Sequence, residues 1–236
     1  MTGGGGGRRR RTAVLISGRG SNMAALLEAA ARDPGYPAEI SLVLSNRADA
    51  AGLALARAAG VPAAAVESRG FRGDREAFER AVEAELARHE VELVALAGFL
   101  RVLTPGFVGR WEGRLVNVHP SLLPAFPGLD THARALAAGV RLHGCTVHLV
   151  TPGVDEGPIL AQAAVPVLPG DTPEALAARV LAQEHRIYPA ALAWLAAGRV
   201  RVEGGRAVVA AAEGAPGGAA LLNPLPGPAA LPTDGA

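Results

Sequence analysis

The chain has 236 residues, enough for one large domain or two small ones, and half of them are hydrophobic, so a substantial core is expected. A formal net charge of +1 gives no overall bias toward nucleic acid or an acidic membrane, and no run of 18 apolar residues predicts a membrane span. The single cysteine cannot form an intramolecular disulfide, which favours a reducing, cytoplasmic compartment.

Both ends of the sequence have low complexity. Residues 1–11 are rich in Gly and Arg, residues 213–236 are rich in Gly, Pro and Ala, and both are predicted to be disordered tails. The arginine run could contact nucleic acid, but a solvated tail is the favoured interpretation. The folded domain is therefore predicted to cover residues 12–212.

Between these ends, short apolar strands alternate with helices. Strands are predicted at 13–16, 40–44, 63–66, 93–97, 115–118, 145–150 and 159–167, and a closing hairpin at 200–209. Helices are predicted at 22–31, 49–59, 131–138 and 173–195, and another begins at Asp74. Fully apolar strands separated by helices predict a Rossmann-like α/β fold, with a mostly parallel, twisted sheet of about seven strands and helices on both faces.

A glycine-rich loop, Ser17-Gly18-Arg19-Gly20-Ser21-Asn22, connects the first strand to the first helix. Glycines let the backbone approach an anion, and the start of a helix offers unpaired N–H groups. The loop matches neither the dinucleotide fingerprint, because Met23 stands at the position of its last glycine, nor a P-loop. From these residues alone, an ordinary strand-to-helix turn is as good an interpretation as a phosphate cradle.

Two polar residues, Asn117 and His119, stand at the end of the strand that begins near Leu115. They share a face because side chains alternate along a strand, and open α/β sheets bind ligands at such strand ends. An amide donor beside a group that titrates near neutral pH is suited to stabilising an oxyanion. A purely structural histidine is the alternative.

Several other polar residues interrupt apolar segments. Glu184 falls within the apolar stripe of the long helix, where a carboxylate needs either an arginine or a ligand as partner. Cys145 is predicted to be a small core residue. Four other histidines do not stand at metal-ligand spacing and are interpreted as structural or secondary: His132, His143, His148 and His185.

The segment Asn117-Val118-His119-Pro120-Ser121-Leu122-Leu123-Pro124 resembles the signature of the folate-dependent formyltransferases, and the similarity runs from Val14 to about Tyr188. The glycine-rich loop resembles the branch that acts on glycinamide ribonucleotide. The resemblance implies transfer of a formyl group from 10-formyltetrahydrofolate to the amine of 5′-phosphoribosylglycinamide in purine biosynthesis, without a metal. It also implies a cis peptide bond between Leu123 and Pro124.

The same resemblance assigns site residues. Catalysis is assigned to Asn117, His119 and Asp155, with the Asp155 charge keeping His119 protonated. The nucleotide would contact Gly20, Ser21, Asn22, Leu181, Ala182, Gln183 and Glu184. The folate would contact Arg75, Leu100, Arg101, Val102, Leu103, Asn117, Thr151, Pro152, Gly153, Val154 and Asp155. The expected partners are small molecules, with neither nucleic acid nor membrane, and the chain is expected to be a monomer or homodimer.

Two kinds of alternative stay open, another folate-dependent enzyme and a non-catalytic module. Among the folate-dependent enzymes, a methionyl-tRNA formyltransferase is expected to carry a further C-terminal domain, and a formyltetrahydrofolate hydrolase is expected to carry a further N-terminal domain. In a non-catalytic nucleotide-binding module, by contrast, Asn117, His119 and Asp155 would not converge.

Overall fold

The computed structural model of the protein describes residues 8–210, which contain a seven-stranded sheet and a separate two-stranded one. The strands are β1 Arg10–Ile16, β2 Ala38–Ser45, β3 Ala63–Ala65, β4 Leu93–Leu96, β5 Leu115–His119, β6 Leu142–Leu149, β7 Ile159–Pro166, β8 Val200–Glu203 and β9 Arg206–Val209. The helices are α1 Ser21–Arg32, α2 Ala51–Ala58, α3 Arg75–Arg88, α4 Pro105–Arg110, α5 Thr131–Ala137 and α6 Pro173–Ala196, with a 3-10 turn at Ser68–Phe71.

The large sheet has the strand order β3-β2-β1-β4-β5-β6-β7. Strands β1 to β5 are parallel, whereas β6 pairs antiparallel with both β5 and β7, so the predicted mostly parallel sheet is confirmed. The chain runs outward from β1 to β3 and then returns to the other side of β1 with β4. Ligands of open α/β sheets bind where the strand order reverses in this way.

Apolar side chains cover both faces of the sheet, as fully apolar strands predict. On one face Val14 and Ile16 pack with residues of α1, α2 and α6. On the other face Ala13 and Leu15 pack with residues of α3 and α4. Alternation along β1 thus divides the core into two layers, one on each face of the sheet. The ends of the strands are left to carry polar groups. Cys145 is fully buried in a third cluster, and burial raises the pKa of its thiol to about 12, which confirms it as a core residue.

One buried side chain joins α6 to the strands that carry the site. The Tyr188 hydroxyl shares its single proton between the carbonyl oxygens of Leu96, at 2.9 Å, and of Val116, at 3.3 Å. The ring itself is completely buried in the core. Because those carbonyls belong to β4 and β5, Tyr188 fixes the ends of two neighbouring strands relative to the long helix.

Helix starts follow their capping signals. The Asp74 side chain accepts from the Ala77 N–H at 2.9 Å and begins α3, as predicted. Thr172 caps α6 in the same way, whereas Asp171 forms two 2.8 Å bonds to the guanidinium of Arg179. The sequence did not predict α4, although Thr104 caps it and Pro105 occupies its first turn. At six residues it is too short to show an apolar period.

The predicted N-terminal boundary is wrong. Strand β1 begins at Arg10, and Arg10 and Arg11 pair with Ala38 and Glu39 of β2, so these arginines belong to the sheet. The Arg9 guanidinium donates to the Ala38 carbonyl at 2.9 Å as well as to a carbonyl of α1. Composition predicted a tail here because runs of arginine are typical of tails. The forked donors of arginine can also hydrogen-bond to carbonyl groups at the edges of a fold. Residues 1–7 and the predicted tail 213–236 lie outside the described residues.

Candidate active site

The loops that follow β1 and β4 meet at the reversal of strand order. The Ser17 N–H donates to the Gly98 carbonyl at 3.1 Å. The Ser17 hydroxyl donates to Asn46 Oδ1 at 2.6 Å and accepts from the Leu100 N–H at 2.8 Å. One buried serine therefore connects the glycine-rich loop to the segment predicted to bind folate.

The antiparallel pairing of β5 with β6 creates a polar face at this edge. Asn117 lies directly opposite His148, and His119 lies opposite Thr146. Because side chains alternate, all four point to the same side of the sheet. The sequence predicted two polar groups at the end of β5. Pairing with β6 adds two more beside them, so four polar side chains lie together.

His119 is almost fully buried, at 6% exposure, and both ring nitrogens face acceptors. Nε2 lies 3.0 Å from the Phe126 carbonyl oxygen, and Nδ1 lies 3.3 Å from Asp155 Oδ2. A carbonyl oxygen only accepts, so Nε2 carries a proton. The Asp155 carboxylate lies within ion-pair distance of Nδ1, and this contact is longer than the 2.7–2.9 Å usual for a charge-assisted hydrogen bond. The Nδ1 side of the ring is therefore the less tightly held of the two.

Asp155 is held by a backbone contact and by its own conformation. Its Oδ2 accepts from the Gly128 N–H at 2.8 Å. Its φ is +57°, and Phe126, which presents its carbonyl to His119, has a φ of +54°. Residues other than glycine rarely occupy this left-handed region, and such strain of about 1–3 kcal/mol per residue clusters at functional sites. Two strained positions thus flank His119.

His148 is a site residue that the sequence interpretation left without a role. Its Nε2 lies 3.3 Å from the Asn117 amide nitrogen and 3.8 Å from Asp155 Oδ1. Burial lowers the pKa of His148, although the Leu149 carbonyl and the Asp155 charge act in the opposite direction. Only the register of β5 against β6 reveals the contact, because 31 positions separate the two residues.

The glycine-rich loop has the geometry of an anion site. Gly20 precedes α1 with a φ of +77°, and no side chain caps the N–H groups at the helix start. A Cβ on Gly20 would lie 3.1 Å from the Gly52 Cα, because α2 packs closely against the loop. Ser21 is half-buried beside the free N–H groups. Unpaired N–H groups and the helix dipole favour a phosphate at such a place.

Glu184 joins the start of α1 to α6. Its Oε2 accepts a 2.6 Å hydrogen bond from Asn22 Nδ2, so its partner is an amide rather than the arginine that one interpretation expected. Burial raises the pKa of Glu184, while Asn22 and the charge of His119 lower it. Leu181 and Gln183 are half-buried, Ala182 is exposed, and the Gln183 side chain accepts from Arg186 at 3.0 Å.

The segment predicted to bind folate forms a cavity of about 240 Å³ beside the loop that follows β4. The cavity is lined by Arg75, Leu100, Arg101 and Val102. Arg75 donates to the Val102 carbonyl at 2.9 Å, and the Arg101 guanidinium lies 5.4 Å from the centre of the Phe78 ring. Leu100 and Val102 are 74% and 66% exposed, which leaves apolar surface for a ligand. The Leu103 side chain instead packs into the core.

The loop between β6 and β7 contains the other predicted folate contacts. Pro152 and Val154 are exposed, whereas Thr151 and Gly153 are half-buried. Its last predicted residue, Asp155, reaches His119, so the loop brings its carboxylate to the site while its apolar residues face outward. The cavity described above does not include this loop.

Two further histidines lie together behind the site. The rings of His132 and His143 stack edge to face with centroids 5.4 Å apart. Burial lowers the pKa of both, that of His143 to about 4, so both are neutral at physiological pH. Within residues 8–210, no group of three or more His, Cys, Asp or Glu side chains is arranged to hold a metal ion.

Comparison with known proteins identifies the family. The formyl transferase family model matches residues 10–192. The phosphoribosylglycinamide formyltransferase of Escherichia coli is 45% identical over 189 residues, covering 80% of this chain and 88% of that protein. The chain belongs to the formyl transferase family. The match includes every residue assigned to the site from sequence, and the peptide bond before Pro124 is cis, as the resemblance to this family predicted.

Formyl transferases with solved structures share the whole fold. Glycinamide ribonucleotide transformylase 1 from Symbiobacterium toebii superposes with a TM-score of 0.83 at 47% identity, covering 88% of this chain and 96% of that one. The trifunctional purine biosynthetic protein adenosine-3 of Gallus gallus is 48% identical over 190 residues, covering 80% of this chain. The chain spans only 19% of the length of that trifunctional relative. Among residues 8–210, no helix is long and apolar enough to cross a membrane.

Proposed function

We propose that this formyl transferase moves the formyl group of 10-formyltetrahydrofolate to the glycinamide amine of 5′-phosphoribosylglycinamide, a step of purine biosynthesis. The observation that carries the proposal is the convergence of Asn117, His119 and Asp155 at the end of β5, with Asp155 Oδ2 3.3 Å from His119 Nδ1. A nucleotide-binding module without catalysis has no need of this arrangement. The names of relatives support the same acceptor.

In the proposed reaction the neutral amine attacks the formyl carbon, and a C–N bond forms as the carbonyl oxygen becomes an oxyanion. The His119 imidazolium and the Asn117 amide donate to that oxygen. The bond from carbon to N10 of the folate then breaks, and the proton lost by the attacking nitrogen ends on N10. Asp155, which holds the charge on His119, is also the nearest carboxylate able to relay that proton.

The two substrates would bind at two different places near the end of β5, one at the start of α1 and one beside the loop that follows β4. The phosphate would bind at the start of α1, where Gly20 and the uncapped N–H groups lie, and the second oxygen of Glu184 would accept from a ribose hydroxyl. The folate would occupy the cavity beside Arg75 and Leu100. Holding both substrates in attack geometry supplies much of the rate in such reactions.

The other expectations for this chain remain predictions. Its partners are predicted to be small molecules rather than nucleic acid, it is predicted to be a monomer or homodimer without a metal, and it is predicted to work in the cytoplasm. The family match and the likeness to purine-biosynthesis enzymes support small-molecule substrates.

The test is a formyl-transfer assay in which 10-formyltetrahydrofolate is offered with one acceptor at a time. With 5′-phosphoribosylglycinamide, tetrahydrofolate and a formylated product that is 28 mass units heavier should appear together. The same acceptor without its 5′-phosphate should react poorly, because the start of α1 then has no anion to bind. Formylation of methionyl-tRNA, or release of formate without an acceptor, would overturn the assignment in favour of another formyl transferase or a hydrolase.

A further inference from the structure

His148 has the surroundings of a working residue. Its side chain is 2% exposed, it lies directly across the ladder from Asn117, and its ring contacts two of the three residues assigned to catalysis. A buried polar ring must satisfy its nitrogens within the protein. The partners of those nitrogens therefore show which protonation state the ring adopts.

The local fold aims the ring at the site. Val147 pairs with Ala161 of β7 but His148 pairs with Ile159, so Leu160 is an additional residue in that ladder. A bulge of this kind bends the strand and redirects neighbouring side chains, and bulges are frequent beside active sites. At Gly157 any side chain would collide with the Leu149 carbonyl and approach His148 Nδ1. The absence of a side chain there leaves room for the contact between that carbonyl and the ring.

The contacts decide the tautomer. Nδ1 lies 2.9 Å from the Leu149 carbonyl oxygen, which only accepts, so Nδ1 carries the proton. Nε2 then presents a lone pair to Asn117 Nδ2 at 3.3 Å, and the amide donates to it. With the Asn117 amide turned over, its oxygen would face that lone pair, and two acceptors would repel each other.

We propose that His148, as the Nδ1–H tautomer, is a positioning residue that holds the NH₂ group of Asn117 toward the site, so that its second N–H is free to donate to the formyl oxygen. The role rests on the proposed function of Asn117 as an oxyanion donor. His148 itself touches neither substrate in this scheme.

Electrostatics agree with the geometry. The titratable groups that face His148 are His119 on β5 and Asp155 in the loop before β7. Burial is the largest influence, and it lowers the pKa of His148, so the ring is neutral at physiological pH and its Nε2 lone pair persists. A charged ring would place an N–H against the amide NH₂ group and remove the reason for its orientation.

The tautomer can be measured without any assay of function. In the substrate-free wild type at pH 7.5, long-range proton–nitrogen NMR correlations should show His148 with its proton on Nδ1. The His148→Gln variant serves to assign the signals. A proton on Nε2, or on both nitrogens, would overturn the proposal even if formyl transfer is confirmed.

The positioning role is tested by a double-mutant cycle with Asn117. His148→Phe keeps an aromatic ring, slightly larger than imidazole, but removes the acceptor. Turnover should fall about tenfold or more, toward the effect of losing one oxyanion donor, while KM for both substrates changes less. His148→Gln, whose amide oxygen can stand in for Nε2, should recover much of the loss. In an Asn117→Ala background, His148→Phe should cost little, because no amide remains to orient.

The matched control is His143→Phe, since His143 lies on the same strand and is equally buried but does not contact Asn117. Any loss of turnover caused by His143→Phe should be the same in wild type and in the Asn117→Ala background. Additive losses for His148→Phe, or a His148→Gln variant no better than His148→Phe, would show that His148 only supports the fold. If wild type forms no formylated product, the proposed function fails, and the NMR result still decides the tautomer.

Discussion

The two ends of the candidate site are built from different parts of the chain. At one end the candidate anion site uses the backbone of consecutive residues, with Gly20 at a φ of +77° and helix N–H groups that no side chain caps. At the other end Asn117, His119, His148 and Asp155 are side chains from two antiparallel strands and a loop. The first end depends on the absence of side chains, and the second depends on their chemistry.

The difference predicts which step of the reaction a substitution at each end impairs. A backbone site loses affinity when a Cβ fills the space that the ligand or a packing helix needs. A side-chain cluster loses the chemical step when a charge or a donor is removed, and binding suffers less because the oxyanion exists only in the transition state and intermediate. For the proposed reaction we therefore expect changes at one end of the candidate site to raise KM and changes at the other end to lower kcat.

The largest effect is expected for His119→Ala. It removes the imidazolium, and kcat should fall about 10²- to 10³-fold or more at every pH, since one preorganised donor is worth about that much. His89→Ala, which removes a histidine at the end of α3, should leave kcat unchanged. Steady-state kinetics with both substrates measures the two constants. Full activity in His119→Ala would mean that the side-chain end does not perform the chemistry.

Asp155→Asn tests the charge rather than the shape. The amide keeps the shape of the side chain but removes the negative charge 3.3 Å from His119 Nδ1 and the carboxylate proposed to relay the proton. We expect turnover to fall about tenfold or more while KM for both substrates changes less. A variant with wild-type turnover would argue against charge as the function of Asp155.

At the other end, Gly20→Ala should act on binding. The added Cβ would lie 3.1 Å from the Gly52 Cα in a backbone region that alanine disfavours, so KM for the nucleotide should rise about tenfold while KM for the folate changes little. Gly60→Ala is the matched control, because Gly60 has a φ of +75° and open space around it. Both variants carry the backbone strain of a positive φ, and Gly20→Ala should lose more stability because it alone gains the close contact with Gly52. Equal KM values in the two variants would remove the phosphate site from Gly20.

Glu184→Gln is expected to have the smallest effect on turnover and to separate stability from binding. The pKa of Glu184 is raised by burial above 4.5, so ionising it costs the folded state more than the unfolded state. The free energy of unfolding of wild type should therefore fall relative to the variant as pH rises from about 4.5 through the pKa of the folded protein.

Gln can still accept from Asn22, so that comparison is between similar folds. Unfolding of both proteins by denaturant at pH 4 and at pH 8 measures the difference. Affinity for the nucleotide should decrease in the variant even where its stability exceeds that of wild type. A pH-independent stability difference would show that burial does not raise the pKa of Glu184 above its value in the unfolded chain.

The sheet and the position of the glycine-rich loop could be predicted from sequence because their signals are local. Alternation of short apolar strands with helices gives the parallel sheet, and Gly20 and Ser21 follow each other directly at a strand-to-helix turn. Asn117 and His119 were found for the same reason, since they lie two positions apart on one strand. The period of a strand is enough to place them on one face.

The remaining site residues depend on long-range pairing. Asp155 was assigned only through resemblance, and its approach to His119 requires β6 to run antiparallel to β5. The carbonyl of Phe126 acts through backbone conformation, for which an aromatic residue gives no signal. His148 needed the register of the ladder, and a shift of one residue would have turned its ring to the opposite face.

The arginines at the start of β1 set the true edge of the folded unit. Arg9 satisfies carbonyls of α1 and β2, and the backbone N–H of Arg11 donates to the Glu92 carboxylate at 3.1 Å while its guanidinium reaches the His89 carbonyl at 2.8 Å. A chain cut just before Thr12 would leave the outer turns of α1 and α3 with open carbonyls and would shorten the strand that leads into the glycine-rich loop. These side chains hold the first strand to its neighbours on both sides, so residues that look like a tail by composition act as part of the folded unit.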